Sequence, residues 1–371
     1  MDLINETNMI AGYTMGMEPS GRELLVVVVK GTFQLPKSGE EVRLHETQLP
    51  LIMADTFTGE PGFSAPYYEV DFAPRKLKCD LLLQGSAYAP DGRPVPRVPV
   101  GLRIGQWQKT FVVCGKRVWE YGLAGVQATP PEPFTVQSFS YDVAFGGVDN
   151  FPEDPAKHVA FMHNPIGKGF HKNIKKEWID GAPMPHTEAL NQPVEKPDGD
   201  YAPMAFGPVG RGWASRLPYA GTYDQNWIDN TFPFLSPDFN DMYYQAAPLD
   251  QQISYLRGGE EVVLVNLTPE SRTGFVLPTI DVPVVFFRKK GDRHETKAVI
   301  DTLVIEPDKS LFTITWRASV PLKKNMFEIP QVLVGKMSRG WWRARELGKT
   351  YYPSLEHLAQ SKKVETEDDA S

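Results

Sequence analysis

A chain of 371 residues can bury about three quarters of its extended surface, and 41% hydrophobic with 23% charged residues is the balance of a globular protein, not of a disordered one. The net charge of −7 argues against nucleic acid and against anionic membranes as partners. Two cysteines, Cys79 and Cys114, exclude a disulfide scaffold; both lie on predicted strands, and the pattern leaves open whether they pair or stay as two reduced, buried thiols of a cytoplasmic protein.

The N-terminus carries Asp2 and Glu6 and no basic residue before Arg22, so it lacks the charged start and apolar middle of a secretory signal. The longest apolar run, Leu24 to Val29, has six residues, far below the ~18 that suggest a membrane span. That run opens a strand, Leu24 to Leu35. It is apolar on both sides at first, then places Lys30, Thr32 and Gln34 on one face and Gly31, Phe33 and Leu35 on the other. A second strand is predicted from Asp80 to Ala89, ended by the turn Pro90-Asp91-Gly92. Val98, Val100, Leu102 and Ile104 then alternate with polar or small residues up to Gly105-Gln106. Trp107, Lys109, Phe111 and Val113 alternate up to Gly115-Lys116. Residues 80–119 therefore read as an antiparallel meander.

From Tyr141 to Gln252 the character changes. Thirteen prolines and ten glycines fall between Tyr141 and Asp250, which largely excludes long helices and strands, while Phe, Tyr and Trp recur throughout. Long ordered irregular segments inside compact domains usually carry function. One helix is expected after Ser236-Pro237, with Phe239, Met242, Tyr243 and Ala246 on its buried face. Strands return at Glu261 to Leu267, Val282 to Phe287 and Lys297 to Ile305. After a turn at 306–310, Phe312, Ile314, Trp316 and Ala318 face one way. A short helix is expected over 354–362, with a frayed acidic tail from Glu365. The fold class is mainly β. Antiparallel sandwich or meander blocks at 1–140 and 253–371 enclose an irregular middle segment at 141–252, with few short helices.

Three constellations can carry chemistry. His158, His163, His171 and His186 lie near Asp149, Glu153 and Asp154, residue types that bind divalent metals, but no helical i, i+4 pair occurs and prolines interrupt the spacing. Asp142, Asp149, Asp224, Asp229 and Asp241 sit among Phe145, Trp213, Tyr223 and Trp227, the composition of a sugar site. Aspartates also satisfy backbone donors in irregular loops. Lys336 to Arg345, KMSRGWWRAR, brackets Trp341 and Trp342 with four basic residues. Such a run reads as one indole plugging the core beside solvated arginines, as a partner-docking face, or as a nucleic-acid contact, the last disfavoured by net charge. Nucleophile elbows and phosphate loops are absent, and Gly207-Pro208-Val209-Gly210-Arg211-Gly212 is no dinucleotide fingerprint.

The runs YDVAFGGVD (Tyr141–Asp149), HNPIGKGF (His163–Phe170), FGPVGRGW (Phe206–Trp213), AGTYDQNW (Ala220–Trp227) and AAPLDQQISYLRGGEEVVLVNLTP (Ala246–Pro269) occur in series with VVVVKGTF and the GRPV-containing meander. Together they resemble the bacterial family called domain of unknown function 2169, over roughly Leu24 to Ala318. The resemblance implies a non-enzymatic adaptor-chaperone of the type VI secretion system. Such a protein binds a toxic effector through its PAAR-like tip domain and helps load it onto the valine–glycine repeat spike protein. It implies no catalytic residue. The histidine spacing argues against a metal, no cofactor motif occurs, and the charge and N-terminal pattern fit a bacterial cytoplasmic protein without a nucleic-acid or membrane partner. Read from composition, the candidate partner-binding residues are Phe145, Trp213 and Trp227 in the middle segment and Arg339, Trp341, Trp342, Arg343 and Arg345 beyond it. The competing reading is a glycan-binding protein or a metal-dependent hydrolase acting at the middle segment.

Overall fold

Alternation of apolar and polar residues along many short runs produces a protein with 36% of its residues in strands and 13% in helices. The structure is a computed structural model that describes residues 1–358 apart from 38, 124 and 290. Three sheets form the frame. The largest has six strands in the order Gln252–Ile253, Cys79–Leu83, Val299–Glu306, Leu311–Pro321, Glu23–Gln34 and Ile10–Met17. A five-stranded sheet runs Thr187–Glu188, Trp107–Cys114, Arg97–Ile104, Glu261–Val265 and Arg272–Val276. A four-stranded sheet runs Asp2–Asn5, Gln331–Val334, Pro283–Phe287 and Arg293–Lys297. Both ends of the chain thus supply strands to shared sheets.

The main core lies between these sheets. Leu25, Val27, Val29 and Phe33 share a face with Phe312, Ile314, Trp316 and Ala318 of the neighbouring strand, because Phe33 and Phe312 are direct cross-strand partners. Their rings stack at 5.2 Å. The five-stranded sheet adds Val98, Val100, Leu102, Ile104, Phe111 and Val113, and the four-stranded sheet adds Val284, Phe286, Val332 and Val334. Each such side chain contributes about 1.5–3 kcal/mol when fully buried.

The run Leu24–Val29 is apolar on both sides because both sides are covered. Leu24, Val26 and Val28 point away from the main core and pack beneath Leu51 and Phe72, part of an irregular strap over residues 45–77. The strap also crosses the edge strand Ile10–Met17 so closely that a Cβ on Gly12 would lie 2.6 Å from Leu51 Cδ1.

Several expectations change in detail. The strand expected over 80–89 breaks at Gln84: Cys79–Leu83 joins the six-stranded sheet, whereas Gly85–Tyr88 pairs with Val136–Phe139. Residues 80–119 are therefore not one meander. Arg97–Ile104 and Trp107–Cys114 form the expected hairpin, but Cys79–Leu83 runs parallel to Val299–Glu306 in the other sheet. The helix after Pro237 does not form. The Asn240 side chain accepts from Met242 N at 2.9 Å and starts only a short 3-10 turn over Asp241–Tyr244, although Phe239 and Ala246 are buried as the spacing suggested. Residues 355–358 are helical, and the remainder of the helix expected to 362, with the acidic tail, lies outside the described residues. Cys79 and Cys114 are each free and buried, and burial pushes the Cys114 thiol up to about 12.

Candidate functional site

The middle segment is assembled from its recurring motifs. In YDVAFGGVD, Gly146 takes φ +147°, and a Cβ there would lie 2.1 Å from the Asn164 carbonyl oxygen, so only glycine fits. Asn164, from HNPIGKGF, is buried and donates through Nδ2 to the carbonyls of Tyr141 (2.9 Å) and Phe145 (3.1 Å). The two motifs are thereby locked together, with Phe145-Gly146 paired to Lys168-Gly169. FGPVGRGW supplies Arg211, which bonds Asp55 and Glu69 of the strap, and Phe206, which enters the main core against Phe111 and Phe139. Arg216, almost fully buried, also grips Glu69 with two bonds of 2.9 and 3.0 Å and donates to the Tyr243 carbonyl. Gln251, from AAPLDQQISYLRGG, donates to the carbonyls of Leu81 (2.7 Å) and Phe206 (3.0 Å). The family-like motifs are clamps that hold an irregular backbone to the sheets.

Of the aromatic candidates in this segment, two are internal. Phe145 packs edge-on against Phe161, Phe170 and Tyr201, and Trp213 packs edge-on against Tyr141 at 5.2 Å. Their side chains fill two small cores. Trp227 differs. It lies on the short helix Gln225–Asn230, begun by the Asp224 carboxylate accepting from Trp227 N at 2.9 Å, and its indole donates to the Phe234 carbonyl at 2.9 Å. Tyr223 and Phe232 meet it edge-on at 4.9 and 5.5 Å. Around this half-buried indole Tyr223, Ile228, Phe232 and Phe234 stay exposed, Phe232 by 66%. The result is an aromatic knob on the surface. No Lys, Arg or His occurs from residue 217 to 256, and Asp224, Asp229 and Asp238 are exposed within that segment.

The five aspartates weighed as a sugar site are spent on local duties. Asp142 accepts from Ala65 N and the Thr58 hydroxyl, Asp224 caps the helix, Asp229 accepts from Gln225, and Asp241 pairs with Arg75. Burial alone would raise the Asp149 carboxyl, but hydrogen bonds from Asn173, Lys172 and Phe151 hold it below the ordinary carboxylate range. The histidines are similarly dispersed: His171 stacks on Phe151 at 4.6 Å, His158 Nε2 meets the Pro152 carbonyl at 2.8 Å, and His186 Nδ1 lies 3.3 Å from the Gln137 amide. Among the described residues no three His, Cys, Asp or Glu side chains gather to hold a metal ion.

The basic–aromatic run forms the helix Arg339–Glu346, capped by Ser338. Trp341 and Trp342 meet edge-on at 4.9 Å, and both rest on Phe287 in a cluster with Val285, Leu333 and Ile4 on the outer face of the four-stranded sheet. The Arg345 guanidinium lies 3.6 Å from the Phe287 ring centre, while Arg339 and Arg343 are exposed. Neither indole enters the main core. Both half-cover their own sheet.

One feature escaped the sequence reading: a buried polar seam under the strap. Lys30 pairs with Asp71 (3.0 Å), Arg317 with Asp301 (2.5 Å), and Lys76 with Asp80 (2.7 Å). Asp80 also accepts from Gln245 Nε2 (2.7 Å) and Ala246 N (2.8 Å), tying the middle segment to the sheet. Beside this seam the strap roofs a cavity of about 330 Å³ with Leu49, Ile52, Val70 and Val304 in its walls and Thr313 and Thr315 on its floor. The signal was present in the sequence as a charged residue inside an otherwise apolar strand, CDLLL.

Neither a curated protein nor a solved structure gives a match to the chain. The family described as an uncharacterized protein conserved in bacteria (DUF2169) matches residues 20–317. That span is well over half of the chain, and the protein belongs to the DUF2169 family.

Proposed function

We propose that the protein is a non-enzymatic adaptor that holds a type VI secretion effector by its PAAR-like tip domain and helps load it onto the valine–glycine repeat spike protein, working in the bacterial cytoplasm. The observation that carries this reading is the knob. Four large apolar side chains are exposed around Trp227, whose indole is tied to the Phe234 carbonyl. Contiguous exposed aromatics of this kind mark protein interaction surfaces, and Trp and Tyr dominate the energetics of such surfaces. The engagement of the candidate aspartates by caps, backbone donors and Arg75 favours a structural duty for them over acid–base work. The role resemblance implied for the family agrees with a holding function.

The mechanism is mass action. An adaptor that binds the folded tip of its effector stabilises it by about 2.7 kcal/mol at a hundredfold excess over Kd. Nothing need be hydrolysed. The test is co-expression of the full chain with a PAAR-bearing effector of the same bacterium. Co-purification at fixed stoichiometry, with the effector melting at a higher temperature in the complex, is expected. An effector that elutes alone and is equally soluble without the protein would overturn the reading.

A further inference from the structure

We propose that the edge strand Ile10–Met17 of the six-stranded sheet takes up an extended, cation-bearing segment of the partner as a seventh strand; this rests on the adaptor reading and names where the partner is held.

Exposed sheet edges invite pairing, and proteins blunt them with charge, proline, bulges or brevity. This molecule does so elsewhere. The edge Arg293–Lys297 reads RHETK, and the edges Gln252–Ile253 and Thr187–Glu188 are two residues long. Ile10–Met17 reads IAGYTMGM, with no charge and no proline over eight residues. Its register with Glu23–Gln34 is unbroken from Ile10 opposite Lys30 to Met17 opposite Glu23, so no bulge twists it away. In an antiparallel ladder with one neighbour, alternate residues turn their N–H and C=O groups outward. Among the described residues the only bond to the backbone of 10–17 from outside that pairing is a local one, the Thr14 hydroxyl to the Met15 carbonyl at 3.4 Å. A row of unused donors and acceptors is a template for main-chain pairing.

Two features beside the edge give the incoming chain its chemistry. Met15, Met17 and Met326 line an open recess of about 490 Å³ with Pro74, and methionine surfaces adapt to apolar side chains of varied shape. At the end of the strand the ring of Phe234 lies against Gly21, in the turn leading into Glu23–Gln34, which sets the knob next to the edge. The knob segment 217–256 contributes exposed Asp224, Asp229 and Asp238 and no cation, and Glu23 lines the recess, against the single exposed Arg22 beside Gly21. A segment with apolar residues for the recess and Lys or Arg reaching the knob is therefore complementary. A second copy of this chain is not: its own edge strand has no charge, and it brings a second acidic knob.

Hydrogen–deuterium exchange on the full chain, alone and with the PAAR-bearing effector, reads the edge directly, and Tyr13→Lys, at an exposed mid-strand position, blocks it. The expected result is at least tenfold slower exchange over residues 10–17 in the complex and at least tenfold weaker effector binding by the variant at unchanged melting temperature. A complex in which residues 10–17 exchange as in the free protein would overturn the inference while leaving the adaptor reading intact. Protection that grows with the concentration of the protein alone would assign the edge to a second copy and overturn it as well. If no complex forms, the adaptor reading fails and this inference falls with it.

Discussion

Replacing Asp80 by alanine tests whether the seam under the strap holds the middle segment to the frame. Asp80 is fully buried and accepts three hydrogen bonds, from Lys76 Nζ, Gln245 Nε2 and Ala246 N, at 2.7–2.8 Å. Asp80→Ala leaves the nearly buried Lys76 ammonium with the Thr302 hydroxyl, 3.0 Å away, as its one remaining partner among the described residues. Breaking one side of a buried pair costs about 3–5 kcal/mol, and each stranded neutral donor adds about 1–3 kcal/mol before relaxation. Allowing for water entering the site, a loss of about 5 kcal/mol is expected. At about 2.1 cal/mol/K of unfolding entropy per residue, a chain of 371 residues shifts by about 1.3 °C per kcal/mol, so the melting temperature should fall by about 6 °C. Asp80→Asn, which keeps an acceptor for Gln245, should lose about half as much. The double variant Lys76→Met/Asp80→Leu should be less destabilised than Asp80→Ala, because no charge is left uncompensated. Calorimetric melts of the variants decide it. An Asp80→Ala protein melting within about 1 °C of wild type would refute the reasoning.

Gly146→Ala places a methyl group 2.1 Å from the Asn164 carbonyl oxygen at a positive φ, so soluble expression should collapse, whereas Gly212→Ala, with open space around its Cβ position, should express normally. Trp342→Ala removes a half-buried ring from Phe287 and should cost about 2 kcal/mol in urea unfolding, visible as a lowered midpoint at constant slope. Burial, then the nearby Lys168, Lys116 and Arg117, push the His186 imidazole down to about 4 from its ordinary 6.5. The unfolded chain therefore takes up a proton near pH 6.5 that the folded protein refuses until about pH 4, and stability should fall as pH drops through that window. His186→Gln should flatten the slope between pH 6.5 and 4 in a series of melts.

The β frame was legible because its strands follow the period-2 rule at long range. Phe312, Ile314, Trp316 and Ala318 all reach the core, as their spacing required. Parallel pairing of Cys79–Leu83 with a strand more than two hundred residues later was not legible, since no local signal fixes a distant partner. The helix expected at Phe239 gives way to a 3-10 turn over Asp241–Tyr244, which the Asn240 side chain caps and which ends where Gln245 turns extended. At the candidate site, composition marked the middle segment as aromatic but could not separate Phe145 and Trp213, which fill cores, from Trp227, which leads the knob. Phe232 and Phe234 do not stand out in the sequence, because exposure depends on a fold that composition does not encode. The sequence IAGYTMGM carries no strong local signal, and its missing charges acquire meaning only once it lies at the rim of a sheet.

The most direct measurement of the adaptor role is a binding titration of the purified full chain against the PAAR-bearing effector of the same bacterium, with Phe232→Ser as the paired variant. Phe232 is largely exposed, so its loss should leave the fold intact. The expected result is saturable one-to-one binding by the wild type, and affinity about thirtyfold weaker in the variant, the scale of about 2 kcal/mol for a hot-spot residue. Absence of wild-type binding up to about 100 μM, where a complex would be worth less than about 5.5 kcal/mol, would contradict the role.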